Sequence, residues 1–349
     1  MRNLLIIMLL IFVAAFASGE WTFPEKYTGP VVPTTDFSWH PDILDGYEAR
    51  YVDQATQFDG PCRSTIIRKM SSKPSRKAYL YIHGFNDYFF QKEMGERFVD
   101  SGFNFYAVDL RRYGRSWEPW QYPFNARKQS EFFNDIDSAL AQIRRDGNTD
   151  ITLSGHSTGG LTVAYYAAMK GARVGVNRVV TNSPFLEWNF SPIMRNVGAH
   201  AIELLSKFSK NSKIKQGNCN GYAYSLLKEY DGEWEYNTDW KMTYSPDVSY
   251  SWVGAINHAQ SELMKKAGNI TVPILIMHSS RKISGCNFTP DFMTGDAVLD
   301  PEMIEKQGRK LGKFAEVCEI ENGIHDLILS PLPVRTAAYD SIFSFIRRH

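Results

Sequence analysis

Short apolar runs recur along this chain of 349 residues, and stretches of helical spacing separate them. Ala78–His83 (AYLYIH) and Asn104–Asp109 (NFYAVD) are continuously apolar, the pattern of strands buried on both faces of a parallel sheet. Glu48–Asp53 and Ser64–Lys69 predict a first pair of strands joined through Asp59-Gly60-Pro61. Further strands are expected at Ile151–Ser154, Arg178–Asn182, Ile274–His278 and Phe314–Ile320. Between them, Gln91–Ser101, Ser130–Arg145, Leu161–Met169, His258–Ala267, Pro301–Leu311 and Pro333–Arg347 carry helical spacing; in Ser130–Arg145 it is Phe133, Ile136, Leu140 and Ile143. Alternation of this kind implies right-handed crossovers. It predicts an α/β fold, a mostly parallel eight-stranded sheet with helices on both faces. In such sheets the chemistry gathers at the carboxyl ends of the strands.

One stretch breaks the alternation. Phe185–Ser251 has no clear strand, is punctuated by glycine and polar residues, and is rich in rings: Trp188, Phe190, Phe208, Tyr222, Tyr224, Tyr230, Trp234, Tyr236, Trp240, Tyr244 and Tyr250. An insertion this long predicts a cap over the active face, at about residues 185–251, rather than a loop. A minority of its rings are expected to meet a substrate, with the others forming the cap's own small core.

The pattern is sharpest at Ile151–Leu161, ITLSGHSTGGL, where a β-prone run enters Gly155-His156-Ser157-Thr158-Gly159 and a helical segment follows. This is G-x-S-x-G between strand and helix, the context in which the motif forms a nucleophile elbow. Side chains at Gly155 and Gly159 would collide with neighbouring backbone. The turn lifts the Ser157 hydroxyl above the sheet and leaves the Thr158 N–H, at the helix start, facing a developing oxyanion.

Composition narrows the classes. Lys plus Arg number 39 and Asp plus Glu 38, a net charge of +1 that gives no electrostatic reason to invoke nucleic acid. Residues 1–19 read as an export signal: Arg2 precedes the apolar run Leu4–Phe16, and Ala15-Phe16-Ala17 offers a cleavage site. The run is short for a membrane span, so a secreted or periplasmic protein is expected, with a signal-anchored form as the alternative. Residues 20–349 would be the mature domain, beginning with an extended arm over Glu20–Pro41. The four cysteines, Cys62, Cys219, Cys286 and Cys318, allow two disulfides in three connectivities, or buried free thiols; their spacing fits no zinc pattern. Asn189, Asn269 and Asn287 open glycosylation sequons.

A serine nucleophile needs a base and a group to orient it. Among eight histidines, His325 stands in Asn322-Gly323-Ile324-His325-Asp326, directly after the last strand. His156 is expected to point away from its own serine, His83 to shape the loop beneath the oxyanion site, and His278 to be a weaker rival base. His40, His200 and His258 read as surface or cap residues. In the chain order Ser, Asp, His, the acid falls after the penultimate strand, at Asp291, Asp296 or Asp300.

The segments HGF at His83–Phe85, DLRRYGRS at Asp109–Ser116, GHSTGG, VPILIMHS at Val272–Ser279, GDAVLD at Gly295–Asp300 and GIHDLILS at Gly323–Ser330 together resemble the α/β-hydrolase superfamily. The branch they resemble is that of monoacylglycerol lipases, lysophospholipases and serine aminopeptidases, from about Gly46 to the end. The resemblance implies Ser157 as nucleophile, His325 as base and Asp296 as acid, with the N–H groups of Phe85 and Thr158 as the oxyanion hole. Asp296 opens a D-x-V-x-D run as in that family, but Ser280–Thr294 separates it from its strand, so Asp291 stands in reserve. Asp109, Arg111 and Arg112 match an architectural loop.

The activity implied is hydrolysis of a small lipid-like ester through an acyl-enzyme, without metal or organic cofactor and with peripheral contact to membrane or lipid aggregates. Two alternatives stand beside it. A serine aminopeptidase would need acidic cap residues, of which Glu203, Glu229, Asp231, Glu233, Glu235 and Asp239 are candidates. A catalytically silent binding protein is the other.

Overall fold

The computed structural model describes residues 38–189, 204, 206 and 209–349. The expected export signal, most of the arm, Phe190, His200, Glu203 and Phe208 lie outside them.

The sheet of the described residues has nine strands: β1 (His40–Pro41), β2 (Glu48–Gln57), β3 (Gly60–Lys69), β4 (Lys77–Ile82), β5 (Asn104–Asp109), β6 (Asp150–His156), β7 (Arg178–Asn182), β10 (Ile274–Ser279) and β11 (Ala315–Ile320). Their order is β1-β2-β3-β5-β4-β6-β7-β10-β11. The pairs from β5 to β11 are parallel, and β1, β2 and β3 add an antiparallel edge. The eight expected strands are all present, and the two-residue β1 extends the sheet by one.

Alternation along the strands explains the layers. Leu80, Ile82, Tyr106, Val108 and Leu153 face one side. There they meet α2 (Phe133–Arg145), α3 (Thr158–Lys170) and α5 (Tyr250–Lys266). Tyr79, Tyr81, Phe105 and Met277 face the other side, against α1 (Lys92–Asp100) and α7 (Leu332–Arg348). α6 (Pro301–Gly308) closes against β10, its Gly308 set so close to Ile276 that a Cβ would lie 2.8 Å from that side chain. Period-two burial on both faces is what a parallel core demands of its strands.

Helix α5 begins at Tyr250, eight residues before the expected His258, because Ser249 caps it by accepting the Trp252 N–H (3.0 Å). The stretch between β7 and α5 carries α4 (Gly221–Leu226) and a two-stranded ribbon of β8 (Lys213–Ile214) and β9 (Val248–Ser249). Its described residues lie over the carboxyl ends of the strands, where Tyr222, Tyr236 and Lys241 share a cavity with Ser157 and His325. Trp234 and Trp240 pack with Tyr88, Phe90, Leu226 and Leu329 in a small third core.

One disulfide forms, Cys219–Cys286, tying this stretch to the loop after β10. Of the two readings open for the other cysteines, free thiols hold: Cys62 is buried on β3 and Cys318 lies part-buried on β11 at the far side of the sheet. Arg111 pairs with Asp135, Arg112 with Asp59 and Glu131, and Arg115 with Asp42 and Asp109, all buried or nearly so. These buried pairs hold the loop after β5, and breaking any one would strand a charge in the interior. Among the described residues no helix is long and apolar enough to cross a membrane.

Candidate active site

Strand β6 ends at His156 and α3 starts at Thr158, so Ser157 makes the whole turn, at φ 53° and ψ −116°. Such a conformation persists only where its surroundings enforce it. The enforcement here is contact between backbones. A Cβ at Gly155 would lie 2.4 Å from the Gly159 carbonyl oxygen, and one at Gly159 only 2.2 Å from that of His83. The Ser157 N–H donates to the Asn182 carbonyl (2.9 Å) and the Ser157 carbonyl accepts from Phe185 N–H (3.0 Å).

His325 follows β11 and brings Nε2 to 3.0 Å from Ser157 Oγ. Its Nδ1 lies 2.8 Å from Oδ2 of Asp296, a fully buried residue. The other Asp296 oxygen, Oδ1, accepts the N–H groups of Val298 (2.8 Å) and Leu299 (2.7 Å). Asp300 then caps α6 through the Glu302 N–H.

The long interval before Asp296 has a spatial explanation. Asp296 N–H donates to the Arg281 carbonyl (2.9 Å), and its own carbonyl accepts from Ile283 N–H (2.7 Å). Residues 284–294 therefore leave and return, and Asp296 ends beside the carboxyl end of β10. The reserve candidate Asp291 is exposed and pairs with Arg281 (3.3 Å).

Loop His83–Phe85 comes up against the serine: a Cβ on Gly84 would lie 3.1 Å from the Ser157 Cβ. His83 Nε2 accepts the Leu110 N–H (3.0 Å), so its hydrogen is on Nδ1, which donates to the Gly84 carbonyl (2.8 Å). That carbonyl belongs to the same trans peptide as the Phe85 N–H, so gripping one end aims the other in the opposite direction. Phe85 and Thr158 both line the cavity at Ser157. Neither N–H is consumed by a hydrogen bond among the described residues. His278, by contrast, is buried with Nδ1 against the Ser279 carbonyl, away from the serine. His258 is exposed on α5.

The cavity measures about 500 Å³. One wall is aromatic: Phe85 packs on Trp252 (4.6 Å between ring centres), Trp252 on Trp188 (6.3 Å) and Trp188 on Phe185 (4.9 Å). Tyr222 and Tyr236 complete the cap's rings there, Tyr222 lying 5.6 Å from the His325 ring. No Asp or Glu lines it among the described residues, and Lys241 is its one lysine or arginine. The half-buried sequon residue Asn189 also lines the cavity, whereas Asn269 and Asn287 are exposed.

Four polar residues here escaped the sequence reading: Lys241, Asp87, Asn86 and Asp326. Lys241 pairs with buried Asp87 (3.0 Å), fastening the cap to the loop beyond Phe85. Asn86 reinforces this by exchanging hydrogen bonds with Met242 (2.8 and 2.9 Å). His156, expected to point away from its own serine, lines the cavity with its ring 4.8 Å from that of His325. Its Nδ1 faces the Asn182 carbonyl (3.2 Å). Burial, and next the neighbouring His325, hold its pKa well below the usual histidine range. Asp326 accepts a hydrogen bond from Asn182 Nδ2 (2.6 Å), and burial followed by the nearness of Asp87 pushes its pKa up to about 7. Asp87, His156 and Asp326 bring one ligand atom each within 4.8 Å, but the Lys241 ammonium already supplies a cation there. Signals for two of the four were present: Asp87 lies two residues past HGF and Asp326 directly follows the expected base.

A serine at a strained strand-to-helix turn, hydrogen-bonded to a histidine that is itself hydrogen-bonded to a buried carboxylate, on this sheet, defines a serine hydrolase of the α/β-hydrolase fold. The chain belongs to the serine aminopeptidase S33 family, whose model matches residues 73–283. No curated protein sequence matches it. Among solved structures it is similar to a soluble variant of monoglyceride lipase from Saccharomyces cerevisiae bound to a substrate analog, at 18% identity over 86% of this chain and 96% of that one, with TM-score 0.62. A monoacylglycerol lipase of Paleococcus ferrophilus is similar at 19% identity, covering 81% and 98%, with TM-score 0.57. A carboxyl esterase of Bacillus coagulans bound to glycerol is similar at 14% identity, covering 86% and 98%, with TM-score 0.57. At these identities the likeness is one of fold.

Proposed function

We propose that the protein hydrolyses carboxylic esters of lipid-like alcohols, of the monoacylglycerol or lysophospholipid kind, through Ser157, His325 and Asp296. His325 Nε2 takes the Ser157 proton as Oγ attacks the ester carbonyl. Asp296 holds the imidazole with its hydrogen on Nδ1, and the N–H groups of Phe85 and Thr158 bind the oxyanion. His325 returns the proton to the leaving alcohol, and water releases the acyl group by the same route.

The observation that carries the substrate class is the cavity: an aromatic and aliphatic wall beside Ser157, without a carboxylate among its described lining residues. An acyl chain gains roughly 0.8 kcal/mol for each methylene buried against such a wall. A peptide's free amine would meet the Lys241 ammonium instead of an anion. Of the carboxylates that an aminopeptidase reading called on, Glu229, Asp231, Glu235 and Asp239 are exposed and Glu233 pairs with Arg335. Export is part of the proposal. It is supported by the pattern of residues 1–19 and by the Cys219–Cys286 disulfide, which suits an oxidising compartment.

The test is a p-nitrophenyl ester series from acetate to long acyl chains, with aminoacyl amides alongside, on exported protein whose mature N-terminus is read by mass spectrometry. Turnover rising with chain length and abolished by Ser157→Ala is expected. Activity confined to aminoacyl amides would overturn the reading.

A further inference from the structure

We propose that Asn182 is a positioning residue that locks the nucleophile turn to the histidine loop, with Asp326 as its counterpart. The proposal rests on the Ser157, His325 and Asp296 reading above.

Asn182 is the last residue of β7, in register with His156 on β6 and Met277 on β10. Its main chain serves the nucleophile side: the carbonyl accepts from Ser157 N–H (2.9 Å) and faces His156 Nδ1 (3.2 Å). Its side chain serves the base side. Nδ2 donates to Asp326 Oδ1 (2.6 Å), and Oδ1 accepts from Leu327 N–H (3.2 Å). Asp326 and Leu327 are the two residues that follow His325. One residue thus grips the serine through its backbone and the chain beyond the histidine through its side chain, so the 3.0 Å between Ser157 Oγ and His325 Nε2 is set from beneath. A primary amide can donate to a carboxylate and accept from an N–H at once, through separate atoms.

The chemistry of Asp326 completes the argument. Because His156 Nδ1 faces a carbonyl, it must carry the hydrogen, which leaves Nε2 bare. That bare nitrogen lies 3.9 Å from Asp326 Oδ2, a buried oxygen with no hydrogen-bond partner among the described residues. Two lone pairs face each other there unless Asp326 holds a proton on Oδ2, and its raised pKa favours that form. The charged groups facing Asp326 are Asp87, Lys241 and, when protonated, His156 and His325; the phenols of Tyr79, Tyr81, Tyr222 and Tyr339 also face it. All four phenols are raised by burial above the ordinary tyrosine range, and so stay neutral throughout the pH range used below.

The experiment exchanges donor and acceptor. Asn182→Asp removes only the N–H donor and sets two carboxyls against each other, a pair that must share one proton. At pH 8 kcat is expected to fall about 100-fold, the scale of a 1 Å misplacement of reacting groups, with KM little changed. As pH is lowered towards 6 the shared proton returns and the deficit shrinks.

The swap Asn182→Asp with Asp326→Asn restores one donor and one acceptor and is expected to recover most of kcat at pH 8. A residue of purely structural importance would show neither the pH rescue nor the rescue by exchange. Wild-type kcat in Asn182→Asp at pH 8, or a swap no better than that single variant, overturns the proposal. If Asn182→Asp does not fold, the swap is compared with Asp326→Asn alone: equal kcat supports the pairing, and a folded swap far below it overturns it. Ser157→Ala, measured alongside, separates the two readings, since activity there would sink the triad itself.

Discussion

Asp296→Asn tests the triad where the sequence left a choice. Asp296 Oδ1 is held by two backbone donors, Val298 N–H at 2.8 Å and Leu299 N–H at 2.7 Å, while Oδ2 faces His325 Nδ1 at 2.8 Å. An asparagine there has one arrangement open to it. Its oxygen must stay with the two N–H groups, because turning the amide would point its own N–H groups at them. The NH2 then faces His325 Nδ1, which must become an acceptor, so the imidazole hydrogen moves to Nε2. In that tautomer the ring cannot take the Ser157 proton.

The same substitution in a chymotrypsin-type triad lowers kcat about 10⁴-fold, and the pinned geometry here predicts a loss of that order, about 5 kcal/mol of transition-state stabilisation. The assay is kcat on a saturating p-nitrophenyl ester at pH 8, with thermal melting to show the fold intact. Asp291→Asn is the control, since the Asp291 side chain is exposed and pairs with Arg281 at the surface; its kcat should stay within about twofold, as for a surface pair. A loss under tenfold in Asp296→Asn, or an equal loss in Asp291→Asn, would refute the reasoning.

Two further outcomes follow from the same geometry. Gly159→Ala places a Cβ 2.2 Å from the His83 carbonyl oxygen and 2.5 Å from that of Ile82, and no rotamer relieves a clash with backbone. The start of α3 must shift by about 1 Å, so kcat should drop about 100-fold and stability by roughly 1–3 kcal/mol, whereas Gly268→Ala, with nothing within 4 Å, should change neither. The second concerns pH. Asp326 has a folded pKa of about 7 against an ordinary 3.8, so the folded state holds its proton more tightly and stability falls as pH rises from about 4 to 7. Asp326→Asn mimics the protonated form and should gain on wild type across that window, on the order of 4 kcal/mol by pH 8. Urea midpoints at pH 5 and pH 8 measure it, and an equal difference at both would count against the proton on Asp326.

The strands and most helices could be read from the sequence because burial on both faces leaves an unbroken apolar run, as in AYLYIH, that few other structures produce. The start of α5 could not, since Tyr250 and Trp252 continue the aromatic crowding of the cap and only the Ser249 cap marks the boundary. Ser157 and His325 were legible from their places at strand ends. Asp296 was ambiguous because spacing along the chain measures contour, and residues 284–294 return to where they left. Asp87 was signalled only by its nearness to HGF, and Asn182 and Lys241 were not legible as parts of the site. Their side-chain partners lie 144 or more residues away along the chain, and only the register of β6, β7 and β10 and the packing of residues 209–249 over the strand ends bring them together.

Phe85 joins the two halves of the proposed function. Its N–H, the proposed oxyanion donor, belongs to the peptide whose Gly84 carbonyl is held by His83. Its ring packs on Trp252 at 4.6 Å and on Phe124 at 5.5 Å, as part of the apolar cavity wall. An acyl chain lying along that wall presses on the side chain of the residue whose backbone binds the developing charge. Binding energy from the remote part of the substrate can then hold the oxyanion donor in place during the chemical step, which raises kcat rather than only lowering KM. A wall built from cap residues alone would lack that link. The placement of Phe85 therefore gives a physical reason why longer acyl chains should react faster as well as bind more tightly.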